Sequence, residues 1–161
     1  MSELTDGTHA RPQYVSAGIP FLSVKDISSG KISFQNCRYI TEADHDILSK
    51  RCNPQKGDIL LTKVGTTGIP VLVQEDASFS LFVSVALLKY SQSFLNGEFL
   101  IYLLKSPVVQ AQAEVNTRGV GNKNWVLKDI GRTLIPVPPF KEQHRIIEKL
   151  GALMNELGTT K

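Results

Sequence analysis

An α+β fold with a single domain and a closing helix is what this sequence predicts. Three observations carry the prediction: short strand-like apolar runs lie between residues 19 and 88, helical stripes begin at Gly97, and the strongest stripe runs from Phe140 to Leu157. At 161 residues the chain suits one domain and is too short for two full ones. Hydrophobic residues make up 42% and charged residues 20%, which favours a packed core over disorder. No apolar run approaches the roughly 18 residues of a membrane span, and the opening MSELTDGTHA has neither the basic nor the apolar region of a signal peptide. With that opening, Cys37 and Cys52 read as reduced thiols of a cytoplasmic protein rather than a disulfide framework.

Element by element, residues 1–18 are rich in Thr, Gly, His and Pro and are expected to be irregular. Ile19 to Val24 reads as a short buried strand whose Pro20 favours an edge or a strand start. Lys31 to Phe34 alternates in the strand manner. Thr41, with Asp44 three residues on, is an N-cap opening a short helix that carries Ile47 and Leu48. Lys56-Gly57-Asp58 turns the chain into Ile59-Leu60-Leu61, and Gly65-Thr66-Thr67-Gly68 returns it through Pro70 to Val73 as a hairpin. Leu81 to Leu88 is a buried strand of fitting length.

From Gly97, Phe99, Leu100, Leu103 and Leu104 share one helical face, and Ser106-Pro107 ends that helix while supplying an N-cap and N1 proline for the next, through Val115. Residues 116–124 are a polar, glycine-containing loop, with Trp125 anchoring it to the core. Pro136-Val137-Pro138-Pro139 cannot be helical and suits an extended crossing. After it, Ile146, Ile147, Leu150, Leu153, Met154 and Leu157 fall at spacings of three and four, opposite a face bearing Lys141, Glu142, Arg145, Glu148 and Lys149.

The net charge of +3 is unevenly spread. Residues 1–50 carry a net −1, residues 51–117 balance, and residues 118–149 hold seven Lys/Arg against three Asp/Glu. A single basic stretch is what a chain meeting a polyanion would show, and a solvated basic face would look the same.

Catalytic patterns are missing. His9, His45 and His144 are scattered, and Cys37 and Cys52 have no CxxC partner, so metal-ligand spacing is not met. Neither Gly65-Thr66-Thr67-Gly68 nor Gly119-Val120-Gly121 has a nucleotide-loop ending. Val137-Pro138-Pro139-Phe140 is similar to the Asp/Asn-Pro-Pro-aromatic motif of DNA amino-methyltransferases, but a valine cannot accept a hydrogen bond from the target amine. Asp58 and Lys63 on one strand invite a nuclease reading, yet no Glu-x-Lys partner accompanies them.

The motifs, taken in order, carry a resemblance. Asp6-Gly7-Thr8-His9, then Gly18 to Leu22 with Val24-Lys25-Asp26-Ile27, then Gly57 to Leu61 with Gly65 to Gly68, and finally Ile135 to Pro139 running into Glu142 to Ile147, resemble the specificity subunit of type I restriction–modification systems. The resemblance covers about residues 6–157. It implies a non-catalytic protein without a cofactor that reads one half of a bipartite site in double-stranded DNA. It also implies docking to methyltransferase subunits and, through them, to restriction subunits. Residues 1–139 would form the target recognition domain and residues 140–157 the conserved spacer or dimerisation helix. The chain departs from the pattern in having one recognition domain where a full subunit has two. Its last helix is short, and little room precedes Asp6-Gly7-Thr8-His9 for the usual leading element.

Base reading needs cations on phosphates and polar groups on base edges, presented by loops on a rigid scaffold. The DNA-binding candidates are Thr8, His9, Lys25, Lys63, Thr66, Thr67, Arg118, Asn122, Lys123 and Asn124. Bland roles compete: Thr66 and Thr67 can cap a turn, Asn122 and Asn124 can form one, and Lys25 can pair with Asp26. Arg118 and Lys123, inside the basic stretch, lead the set. Ile146, Leu150, Leu153 and Leu157 form a seam of coiled-coil spacing that either packs on its own domain or pairs with a second copy as a homodimer. A competing reading is a truncated interaction module that occupies methyltransferase subunits without selecting DNA.

Overall fold

The computed structural model describes residues 2–121 and 123–158. In chain order the elements are β1 (Glu3–Asp6), β2 (Tyr14–Val15), β3 (Ile19–Leu22), α1 (Val24–Ile27), β4 (Arg38–Ile40), α2 (Glu42–Leu48) and β5 (Ile59–Thr62). There follow β6 (Pro70–Leu72), β7 (Ser80–Leu81), β8 (Val85–Lys89), α3 (Gly97–Lys105), α4 (Pro107–Asn116), α5 (Leu127–Ile130) and α6 (Phe140–Gly158). The architecture is the expected α+β with a terminal helix.

One antiparallel sheet has the order β1-β8-β5-β6, and a second, mixed sheet has the order β2-β4-β3-β7. Strands β5 and β8 are buried on both faces, which is why they read as unbroken apolar runs rather than alternating ones. Their side chains nevertheless divide with a period of two. Ile59, Leu61, Ala86 and Leu88 pack with Phe99, Leu100, Leu103 and Leu104 of α3, Val109 and Ala113 of α4, and Trp125. Leu60, Val85 and Leu87 pack with Leu22, Ile27, Phe79 and Leu81 on the second sheet's side. Helices, first sheet and second sheet therefore form three layers. Cys37 and Cys52 are free and buried, and burial pushes the Cys52 thiol up to about 12, so it stays protonated at neutral pH.

Long-range pairing overrides several local expectations. Residues 1–18, expected to be irregular, contain two strands, and the four-residue β1 immediately precedes Gly7. Its polar sequence has little strand propensity, but β8 pairs with it from Glu3↔Lys89 to Asp6↔Ala86. Lys31 to Phe34 forms no strand because no neighbour pairs with it; Ile32 and Phe34 still pack on the core, Phe34 edge-on to Phe79 at 5.9 Å. The single strand expected over Leu81 to Leu88 is split: β7 ends at Leu81, a turn closed by Val85 N–H donating to the Phe82 carbonyl intervenes, and β8 joins the other sheet. Val24, expected at the end of β3, instead opens α1, whose Ser23–Asp26 capping box turns the chain. Strand β3 is internal, and Pro20 is tolerated at its start because β7 pairs only with Phe21 and Leu22.

The helix signals hold. The Thr41 hydroxyl accepts from the Asp44 amide at 3.1 Å, and Pro107 opens α4, although the Ser106 hydroxyl is buried without a capping bond. Gln143, fully buried on α6, ties that helix down. Its Oε1 accepts from the Asn96 amide at 2.9 Å, while its Nε2 donates to the carbonyls of Phe94 at 2.8 Å and Pro138 at 3.0 Å. Ile146 and Ile147 join the core cluster beside it, whereas Leu153, Met154 and Leu157 are 42%, 58% and 72% exposed. Replacing Gln143 by Ala removes three hydrogen bonds to part-buried backbone groups, and urea unfolding is expected to register a loss of about 1–3 kcal/mol. Unchanged stability would mean that apolar contacts alone hold α6.

Candidate nucleic-acid interface

The Asp6-Gly7-Thr8-His9 run leaves β1 and crosses the turn between β7 and β8. Thr8 N–H donates to the Leu81 carbonyl at 2.9 Å, and Val83 N–H donates back to Thr8 at 3.0 Å. Gly7 is required here by proximity: a Cβ would lie 2.0 Å from the Leu81 carbonyl oxygen. The turn is held on its other side by the chain leaving β5, since Lys63 N–H donates to Ser84 O at 3.0 Å. The Ser84 hydroxyl in turn accepts from the Val24 amide at 3.0 Å, which sets the start of α1 and hence Lys25.

The hairpin loop and the basic-stretch loop are joined by the same device. Gly65 N–H donates to Lys123 O at 2.8 Å, Trp125 N–H to Lys63 O at 2.8 Å, and Arg118 and Asn124 exchange two backbone bonds. Gly65 holds a φ of +79°, a conformation few other residues adopt readily. The Trp125 side chain is 1% exposed and anchors the loop in the core as expected. Segments 7–10, 23–25, 63–68, 82–84, 117–121 and 123–125 are thus laced into one rim.

At its centre sits a buried ion pair. Asp6 is 4% exposed and accepts Lys63 Nζ at 3.2 Å; Lys63, also 4% exposed, donates as well to Val83 O at 3.2 Å. Burying either charge alone would be costly, so the pair and its extra hydrogen bonds constrain where β1, the hairpin and the 82–84 turn meet. Two more groups reach Asp6: the Arg51 guanidinium bonds its carboxylate and, at 2.8 Å, its main-chain carbonyl, and His9 Nε2 lies 3.6 Å from Oδ2.

The ten candidate residues fall into distinct positions. His9, Lys25, Thr66, Arg118 and Lys123 are exposed on the rim, with Arg118 3.7 Å from Asp129. Thr8 and Thr67 are half-buried, and the Thr8 hydroxyl closes a local turn with Ala10. Lys63 requires correction: its ammonium is buried and paired, so it supports the rim from beneath instead of facing solvent. Asn124 is half-buried, its backbone bridges Arg118 and Val64, and its buried Oδ1 makes no hydrogen bond; it is placed as a loop former. Asn122 lies outside the described residues. Asp58 and Lys63 do not converge as a nuclease pair would: Asp58 accepts from the Gln55 amide and Lys89, whereas Lys63 serves Asp6.

Arg51 and the 82–84 turn escaped the sequence reading. Arg51 stands 45 residues from Asp6, and no local pattern connects them. The basic stretch is likewise dispersed: Arg118 and Lys123 are on the rim, Lys128 is on α5, and Lys141, Arg145 and Lys149 are on α6.

Comparison with known proteins matches residues 11–161 to the family described as "Type I restriction modification DNA specificity domain". The EcoBI type I restriction enzyme specificity subunit of Escherichia coli is 31% identical over 139 residues, covering 86% of this chain and 29% of that protein. The HsdS subunit from Thermoanaerobacter tengcongensis has a similar fold, with a TM-score of 0.63 and 20% identity over 92% of this chain and 38% of the other. A chain from a study of complex assembly and conformational transition of the type I R-M system gives a TM-score of 0.71 at 17% identity, over 99% of this chain and 37% of that one. The chain spans less than a third of the curated relative and less than two fifths of the solved chains.

Breaking the central pair tests its role. Lys63→Met leaves Asp6 with Arg51 as its remaining permanent cation and is expected to cost stability at the low end of about 3–5 kcal/mol. A double Asp6→Leu, Lys63→Met variant should recover part of that loss, because neither charge is left buried alone. Equal stability of single variant and wild type in urea unfolding would remove the pair from its central position.

Proposed function

The chain belongs to the type I restriction modification DNA specificity domain family, and from that premise we propose that it reads one half of a bipartite site in double-stranded DNA. It is non-catalytic; the reaction is left to methyltransferase subunits docked on it and, through them, to restriction subunits. Residues 1–139 act as the recognition domain and residues 140–157 as the spacer helix. The observation that carries this reading is the convergence of four loops and the start of α1 on one rim, with exposed cations and polar side chains standing on it.

Arg118 and Lys123 supply phosphate contacts, which give salt-dependent affinity and register. His9, Lys25, Thr8, Thr66 and Thr67 are the side chains we assign to base edges, and Asn122 joins them on its sequence position alone. One half-site offers only part of the contacts that make a complex tight, so the measurement belongs in the assembly with methyltransferase subunits. There, Arg118→Ala and Lys123→Ala should each lower the slope of log K against log salt by about 0.9 and weaken binding to all duplexes alike. Slopes unchanged in both variants would take these residues out of the contact set. Methyltransferase binding with no duplex selection at all would favour the interaction-module reading.

The exposed half of the α6 stripe supports pairing with a second copy. Ile146 is engaged by the domain and Leu150 is half-buried, but Leu153 and Leu157 carry apolar surface into solvent. A homodimer would present two identical readers to a two-fold symmetric, interrupted site. Light scattering should show a dimer that Leu153→Asp with Leu157→Asp converts to monomer; a wild-type monomer at high micromolar concentration would exclude the pairing.

A further inference from the structure

We infer that Arg51, which no sequence pattern connects with the rim, is an additional DNA-phosphate contact, pre-oriented by Asp6. The inference rests on the DNA-reading function proposed above and adds a residue from outside its loops.

The reasoning begins with charge. Asp6 contributes one negative charge, and the buried Lys63 ammonium at 3.2 Å already compensates it. Arg51 is a second permanent cation on the same carboxylate, and its side chain is 56% exposed. A hub serving stability alone needs only the first; the second leaves a net positive charge, and that charge lies on the partner open to solvent. Its orientation is restricted as well. One guanidinium nitrogen, Nη2, donates to both the Asp6 carboxylate and the Asp6 main-chain carbonyl, and Nε lies 3.5 Å from the Thr5 hydroxyl. The Nη1 donors take no part in these bonds. With Nη2 spent on Asp6 and Nε directed at Thr5, the two N–H groups of Nη1 are the donors left to meet an anion.

Position supports the assignment. His9, 69% exposed, reaches the other oxygen of the same carboxylate at 3.6 Å, so Arg51 stands beside the loop that also carries Thr8. A guanidinium held in place before binding loses less rotamer freedom on meeting a phosphate than a free surface side chain does.

The test uses the full chain assembled with methyltransferase subunits and a short mixed-sequence duplex, titrated across a salt series. Arg51→Gln removes the charge while retaining an amide donor for Asp6. It should lower the log K versus log salt slope by about 0.9 and reduce affinity by the same factor for every duplex sequence. Arg51→Lys should keep most of the slope, and Lys50→Ala, at the exposed neighbouring position, should leave it unchanged. A second measurement avoids substitution altogether: in the wild type, duplex DNA should shield Arg51 from phenylglyoxal, read by mass spectrometry. If Arg51→Gln keeps the wild-type slope, or Arg51 reacts equally with and without duplex, while Arg118→Ala and Lys123→Ala lower the slope, the inference falls and the broader reading stands. A wild-type assembly with no salt-dependent duplex binding would sink both.

Discussion

A carboxylate placed where water cannot solvate it must find positive charge, and Asp6 imposes that requirement at the point where the sheets and loops meet. Lys63 answers it from the end of β5, 57 residues away in sequence, and in doing so also takes up the carbonyl of Val83. Three segments are thereby held to one geometry. The backbone bonds running from Lys63 and Gly65 into residues 123–125 extend the restriction to the basic-stretch loop. Loops that present polar groups to a ligand gain precision when their bases are fixed in this way, because less order has to be imposed on binding.

The scaffold beneath can bear such loops because its middle sheet is covered on both sides. Helices α3 and α4 pack on one face of β5 and β8, and the second sheet's elements pack on the other. The rim grows from this doubly buried layer. Gln143 extends the same economy to α6. One buried amide satisfies three backbone groups of the crossing before the helix and the loop before α3, so the helix leaves the domain from a fixed origin. Beyond that origin its apolar stripe passes from packed Ile146 and Ile147 to exposed Leu153, Met154 and Leu157. Self-packing accounts for the first half of the helix, while the second half leaves its apolar side chains exposed, a division the spacing alone could not reveal.

Local chemistry was legible wherever a segment's hydrogen bonds close within itself or across a short turn. The Ile59–Leu72 hairpin, the Thr41 cap, the Phe99–Leu104 face, Pro107 at the start of α4 and the stripe from Phe140 follow from spacing, glycine and proline, and each is present. The loop positions of Arg118, Lys123, His9 and Thr66 were readable for the same reason, and so was the ordered set of motifs that indicates the family.

What only the tertiary structure decided involves partners distant along the chain. The apolar run Leu81 to Leu88 cannot announce that a turn at Val83 and Ser84 sends its halves to different sheets, because both halves are equally apolar. Glu3 to Asp6 looks like loop until β8 supplies its missing hydrogen bonds. Lys63 resembles any loop lysine next to a Gly-Thr-Thr-Gly turn, and Arg51 any surface arginine, until Asp6 draws both in. Sequence by itself thus determined the periodic elements, the loop chemistry and the family; the fold decided which charges are buried as support and which remain facing solvent. The division is physical, since periodicity records bonds a segment makes with its own neighbours, whereas burial and ion pairing exist only once remote segments have met.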